Sequence, residues 1–298
     1  MRRRGDLRSD HQIRVNPGDV MDTIVVGFDG SQASFVALEW AAQRASVGQC
    51  RLSLVRFDAG DPLAGENEAF AFDDAERRVK DVAPDVEITS RTLRGRLPGA
   101  LLREAEAERA HMLVIGAHHR RPIRSTLSGW RPLRTAAQSS GPVVVVPDDW
   151  TDIDGPILVG VDDDTSSDSA MQFAAAEAER LGLELVLLHA WQMPVPRMDG
   201  SVAVIAAPSA VKTDHRRVLE AAKEAVAARH PSLAIRTDLV QDNPAAALLT
   251  GAGRSSLLVL GSHHRGILAG AVLGSVGQDV LPLAQIPVCV VPTAETAR

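Results

Sequence analysis

The sequence predicts an α/β protein made of two tandem, doubly wound open sheets. Each has five mostly parallel strands with helices on both faces. Three observations carry this expectation. Short β-branched runs alternate with segments whose apolar residues recur three and four positions apart. The runs are continuously apolar rather than alternating, the mark of strands covered on both faces. The pattern also occurs twice: residues 23–28 (TIVVGF) end at Asp29, residues 156–161 (PILVGV) end at Asp162, and this offset of 133 carries Leu38 onto Met171 and Trp40 onto Phe173.

In the first copy a turn at Gly30–Ser31 leads into a helix through Phe35, Leu38, Ala41, Ala42 and Ala45. A second strand over 51–57, a polar amphipathic helix over 68–83, and a third strand over 86–93 follow. A helix bearing Leu101 and Leu102, a fourth strand over 112–115 and a fifth at Val143–Val146, before Pro147, complete the unit. The second copy begins with a turn at Asp163–Ser167 and a stripe of Met171, Ala174, Ala175 and Ala178. Its remaining strands are expected at 184–191, 233–240, 257–260 and 288–291, with helices over 209–229 and around Leu248–Leu249. Gln192–Pro208 reads as a surface loop or flap, and its length explains why the offset grows to 145 between Gly116 and Gly261. The domains are therefore 21–148 and 156–298, joined by an acidic linker at 149–155.

The 298 residues suit two domains, and 45% apolar with 23% charged content suits a globular chain. A net charge of −6 argues against a general nucleic-acid binder. Apolar runs are too short to span a bilayer, so no membrane association is expected. Cys50 and Cys289 lie in or beside strand-like runs and are read as buried thiols, consistent with a cytoplasmic setting. Residues 1–20 are polar, Arg-rich and without a secretory h-region; they read as an extension lacking a fold, with Met21 as an alternative start.

The chain is organised around residues 257–278, LLVLGSHHRGILAGAVLGSVGQ. A buried strand stops at Gly261, a Gly- and His-rich loop follows, and Gly274–Ser275 precede a helix carrying Val276, Val280 and Leu281. Glycines admit close backbone approach, so strand, loop and helix start form a natural anion site. The first copy repeats the beginning, Gly116–Ala117–His118–His119–Arg120 against Gly261–Ser262–His263–His264–Arg265. Adjacent histidines without a further ligand at metal spacing do not make a metal site. His189 reads as a satisfied core or rim histidine. Asp29 and Asp162 read equally as helix-start hydrogen-bond acceptors, and Asp162–Asp163–Asp164 as a solvated turn or a Mg²⁺ contact. Neither a GxxxxGK[ST] nor a GxSxG motif occurs.

From residue 22 to 292 these features resemble the universal stress protein family, in tandem. The family's first strand ends Val-Gly-x-Asp-x-Ser, its ATP-binding members carry G-x2-G-x9-G-[S/T], and its final strand ends Pro-Val-x-Val-Val. The resemblance implies an adenine-nucleotide α-hydrolase-like fold and a stress-response regulator or sensor that binds ATP, with or without Mg²⁺. It places Asp162, Gly261, His263, His264, Arg265, Gly274, Ser275 and Val276 at the nucleotide, although His264 stands at the second glycine. In the first copy Asp29, Gly116 and Gly129 fit, but His119 replaces the second glycine and Trp130 the Ser/Thr. That site is read as degenerate, its Arg120, Arg121, Arg124 and Arg131 being available to another anion. No chemical step is implied beyond, at most, weak ATP hydrolysis. The alternative is a protein-interaction module without nucleotide. The final strands look like open edges, so the halves are expected to form an internal pseudo-dimer, with homodimerisation a further option.

Overall fold

The computed structural model describes residues 21–58, 65–118, 131–162, 167–193, 208–262 and 273–293. The first half contains β1 (Thr23–Phe28), α1 (Gln32–Gly48), β2 (Arg51–Asp58), α2 (Gly65–Val82), β3 (Ile88–Arg94), α3 (Gly99–Ala107), β4 (Met112–Ala117), α4 (Arg131–Gln138) and β5 (Val143–Pro147). The second half repeats it as β6 (Ile157–Gly160), α5 (Asp168–Leu181), β7 (Leu185–Trp191), α6 (Pro208–Ala227), β8 (Ile235–Gln241), α7 (Pro244–Ala252), β9 (Leu257–Ser262), α8 (Ser275–Val280) and β10 (Val288–Pro292). The expected extension 1–20, most of the second-copy turn and the flap lie outside the described residues.

Where the sequence suggests two sheets, the structure joins them into one, ordered β3-β2-β1-β4-β5-β10-β9-β6-β7-β8. Pairing is parallel within each half, and the halves meet through the antiparallel pair β5–β10. The physical reason is the edge: each apolar final strand would otherwise present an unpaired row of backbone groups, and each satisfies the other. The outer edges that remain, β3 and β8, carry charge instead. Arg91 pairs with Glu104 and Glu108, and Arg236 with Asp238 and Glu184.

Helices cover both faces. α1, α2, α5 and α6 pack on one apolar cluster that runs through both halves, and α3, α4, α7 and α8 pack on the other. Small residues let α1 lie close to the sheet: Ala37, Ala41, Ala42 and Ala45 are fully buried beside Trp40. Within each half the chain winds outward from its first strand, then crosses back to the opposite side. β1 therefore adjoins β4, and β6 adjoins β9. Those neighbours define the topological switch points, where doubly wound sheets open a crevice beyond the strand ends.

Candidate functional site

In the second half the β6–β9 register pairs Ile157 with Leu257 and Val159 with Val259. Carried past the strand end, it sets Val161 level with Gly261 and Asp162 level with Ser262. Asp162 is exposed, and its N–H donates to Ser167 Oγ at 3.1 Å. Behind it, buried His189 donates from Nδ1 to the Val161 carbonyl at 2.8 Å. A carbonyl only accepts, so Nδ1 bears the hydrogen and Nε2 meets His215 Nδ1, 2.7 Å away. His215 in turn stacks on Trp191 with ring centroids 5.4 Å apart. His189 is thus the satisfied core histidine the sequence suggests. Its partner His215, half-buried on the inward face of α6, carries no sequence signal.

The far end of the loop is anchored from below. Leu273 is buried, its carbonyl accepts from Gln278 Nε2 at 2.6 Å, and it fills the space that a side chain at Gly277 would need, 2.7 Å from Leu273 Cγ. This presents Gly274 and Ser275 outward, both exposed, with Val276 half-buried behind them. Gly274 has φ −55° and ψ 158°, ordinary values for any residue, and a Cβ there would meet nothing within 4 Å among the described residues. The backbone at this position therefore does not itself require a glycine. Ser262 adds a feature not singled out from the sequence: its Oγ is buried and has no hydrogen-bond partner among the described residues. His263, His264 and Arg265 lie outside the described residues.

The first half uses the same framework differently. Asp29 Oδ1 accepts the Ser31 N–H at 3.0 Å, and Ser31 Oγ caps α1 by accepting from Ser34 N at 3.3 Å. Partial desolvation alone would raise the Asp29 pKa, but hydrogen bonds from Ser31 and Ser34, together with nearby His118, hold it below the usual carboxylate value. Gly116 is a packing glycine, since a Cβ there would lie 2.2 Å from the Ala33 carbonyl oxygen. Ala117 occupies the position of Ser262, and His118 bonds Asp148 at 2.9 Å. His119, Gly129 and Trp130 lie outside the described residues.

Cys50 and Cys289 are free and buried, and burial pushes both thiols up. Among the described residues no cluster of three His, Cys, Asp or Glu could hold a metal, and no helix is long and apolar enough to cross a membrane.

Fold and strand order define a duplicated, doubly wound α/β protein with one topological switch point per half. The universal stress protein family model matches residues 21–147 and 155–292, and the chain belongs to that family, which places it among stress-response proteins. It is similar to a universal stress protein of Mycolicibacterium smegmatis, 32% identical over 289 residues that cover 90% of this chain and 96% of the relative. A universal stress protein of Mycobacterium tuberculosis is 29% identical over 305 residues, covering 90% and 94%. The crystal structure of a universal stress protein from Archaeoglobus fulgidus shares the fold, with a TM-score of 0.65, 17% identity and coverage of 91% and 98%.

Proposed function

We propose that the second half binds ATP, and that the chain acts in the cytoplasm as a nucleotide-dependent regulator or sensor of the stress response. One observation carries the reading. At the β6–β9 switch point the register sets exposed Asp162 level with Ser262, whose buried hydroxyl has no hydrogen-bond partner among the described residues, and Gly274 and Ser275 are exposed at the start of α8. Asp162 would orient ribose or adenine. Gly261 and Gly274 would admit the phosphates, Ser275 and the Val276 N–H would bind their oxygens, and His263, His264 and Arg265 would line the mouth. Mg²⁺ bound with the nucleotide would sit toward the acidic turn after Asp162. The first half contrasts at one matching position: Ala117 offers no hydroxyl where Ser262 stands.

Nucleotide occupancy would bias the loop and the surface around it, and so the choice of protein partner. A second reading, an interaction module without nucleotide, is favoured by His264 at the family's second glycine. Calorimetric titration of stripped protein with ATP separates them. Saturable binding near one equivalent that is lost in Asp162→Ala supports the ATP reading. Absence of heat at millimolar ATP supports the other.

A further inference from the structure

We infer that the junction between the halves is a heterotypic interface: it accepts the opposite half of this chain and rejects a copy of the same half. The strands alone cannot make that choice. β5 reads VVVVP and β10 reads VCVVP, so either edge would pair with itself as readily as with the other. The discrimination must come from whatever lies over the pseudo-twofold axis.

The register locates that axis. Val144 stands opposite Cys289, flanked by Val143–Val290 and Val145–Val288. Val144 and Cys289 are the same position in the two copies by the offset of 145 that relates Val143 to Val288. The axis therefore passes between them. Both lie in the cluster under α1 and α5, and these two helices touch above it. There the 133-residue offset that carries Asp29 onto Asp162 carries Arg44 onto Glu177, and the two face each other. A guanidinium nitrogen of Arg44 is 4.0 Å from Glu177 Oε2, with side chains only 10% and 3% exposed.

A residue that meets its own counterpart across a twofold axis would meet itself in a like-with-like pair. Two first halves would bury guanidinium against guanidinium, and two second halves carboxylate against carboxylate. The surroundings are unequal in the same sense. Glu177 also meets His111 of the first half at 2.8 Å, and Arg180, whose counterpart is apolar Val47, reaches across to Asp22 at 2.7 Å. Asp152 in the linker adds a further negative charge facing Arg44. That Arg44 nitrogen has no hydrogen-bond partner among the described residues, so attraction of charge rather than close geometry links it to Glu177. Such a pair suits choice of partner more than stability. Duplication within one chain is what allows it, because identical chains cannot place Arg and Glu at one axial position.

The test uses full-length protein refolded from urea at about 50 μM, followed by size exclusion with light scattering and a thermal melt. The neutral double variant Arg44→Met/Glu177→Met should melt within roughly 4 °C of the wild type. It should nevertheless refold to a several-fold larger share of exchanged dimers and larger species, whereas Arg44→Lys, which keeps the charge, should keep the wild-type distribution. A wild-type distribution from the neutral double variant, or the same shift from Arg44→Lys, would overturn the inference. A second arm covers failure of the double variant to fold. Arg44→Glu and Glu177→Arg chains refolded together can exchange halves so that both axial pairs are complementary, and they should yield more dimer than either chain alone. An equal yield would also overturn it.

Discussion

Replacing Gly116 by alanine should destabilise the first half through a contact that cannot relax by side-chain rotation. The added Cβ would lie 2.2 Å from the Ala33 oxygen, 2.3 Å from the Ala33 carbonyl carbon and 2.8 Å from Ser34 N. All three atoms are backbone in the first turn of α1. Restoring ordinary contact requires helix and strand to separate by about 1 Å, and overpacking of that kind costs about 1–3 kcal/mol. The upper part of that range applies, because the obstacle is a hydrogen-bonded turn. At roughly 2–4 °C per kcal/mol for a chain of comparable size, Tm should fall by about 5–10 °C. Gly141→Ala and Gly274→Ala are the controls, since a Cβ at either position meets nothing within 4 Å among the described residues. Thermal and urea melts of the three variants suffice. A Gly116→Ala protein melting within 1 °C of its controls, against the loss worked out above, would refute the close approach of α1 to β4.

Other consequences can be checked in the same preparations. Asp29 has a folded-state pKa below its reference value of 3.8, so the stability it contributes is present above that value and is lost as pH falls through the folded one. Asp29→Asn should therefore show a shallower loss of stability below about pH 4 in acid titrations followed by circular dichroism; an unchanged acid limb would count against the Ser31–Asp29 turn. His189→Leu should cost about 2 kcal/mol by urea denaturation, since it leaves the Val161 carbonyl without its buried donor. Both cysteines should resist maleimide in the native state and react once unfolded, as read by intact mass; rapid native labelling of either would contradict their burial.

Much of this architecture is legible in the residues. Continuous apolar runs such as Leu257–Leu260 need cover on both faces, and alternating them with helices leaves few topologies besides the doubly wound one. The repeat located the strand-end aspartates, and the valine edges pointed to an internal pairing. What the sequence could not convey was long-range and lacked periodicity. Arg44 and Glu177 are equivalent by offset, but nothing in either residue type says that the axis runs between them. His215 sits on a helix face of mixed polarity, and only the packing of α6 on β7 brings it to His189. The buried Ser262 hydroxyl looks like any small loop residue until β9 is seen to run one turn of pleat beyond its apolar run. Gly116 and Gly274 read alike as loop glycines, yet Gly116 packs against the backbone of α1 while Gly274 is exposed at the start of α8.

The most direct measurement of the central claim is the nucleotide carried by the protein itself. Freshly purified chain, denatured with acid, should release close to one equivalent of adenine nucleotide. Stripped protein should take ATP back, and Ser275→Trp, which copies the first half's Trp130, should do neither while melting normally. Release of no nucleotide, together with no response to added ATP, would contradict the account and leave the glycine loop as architecture alone.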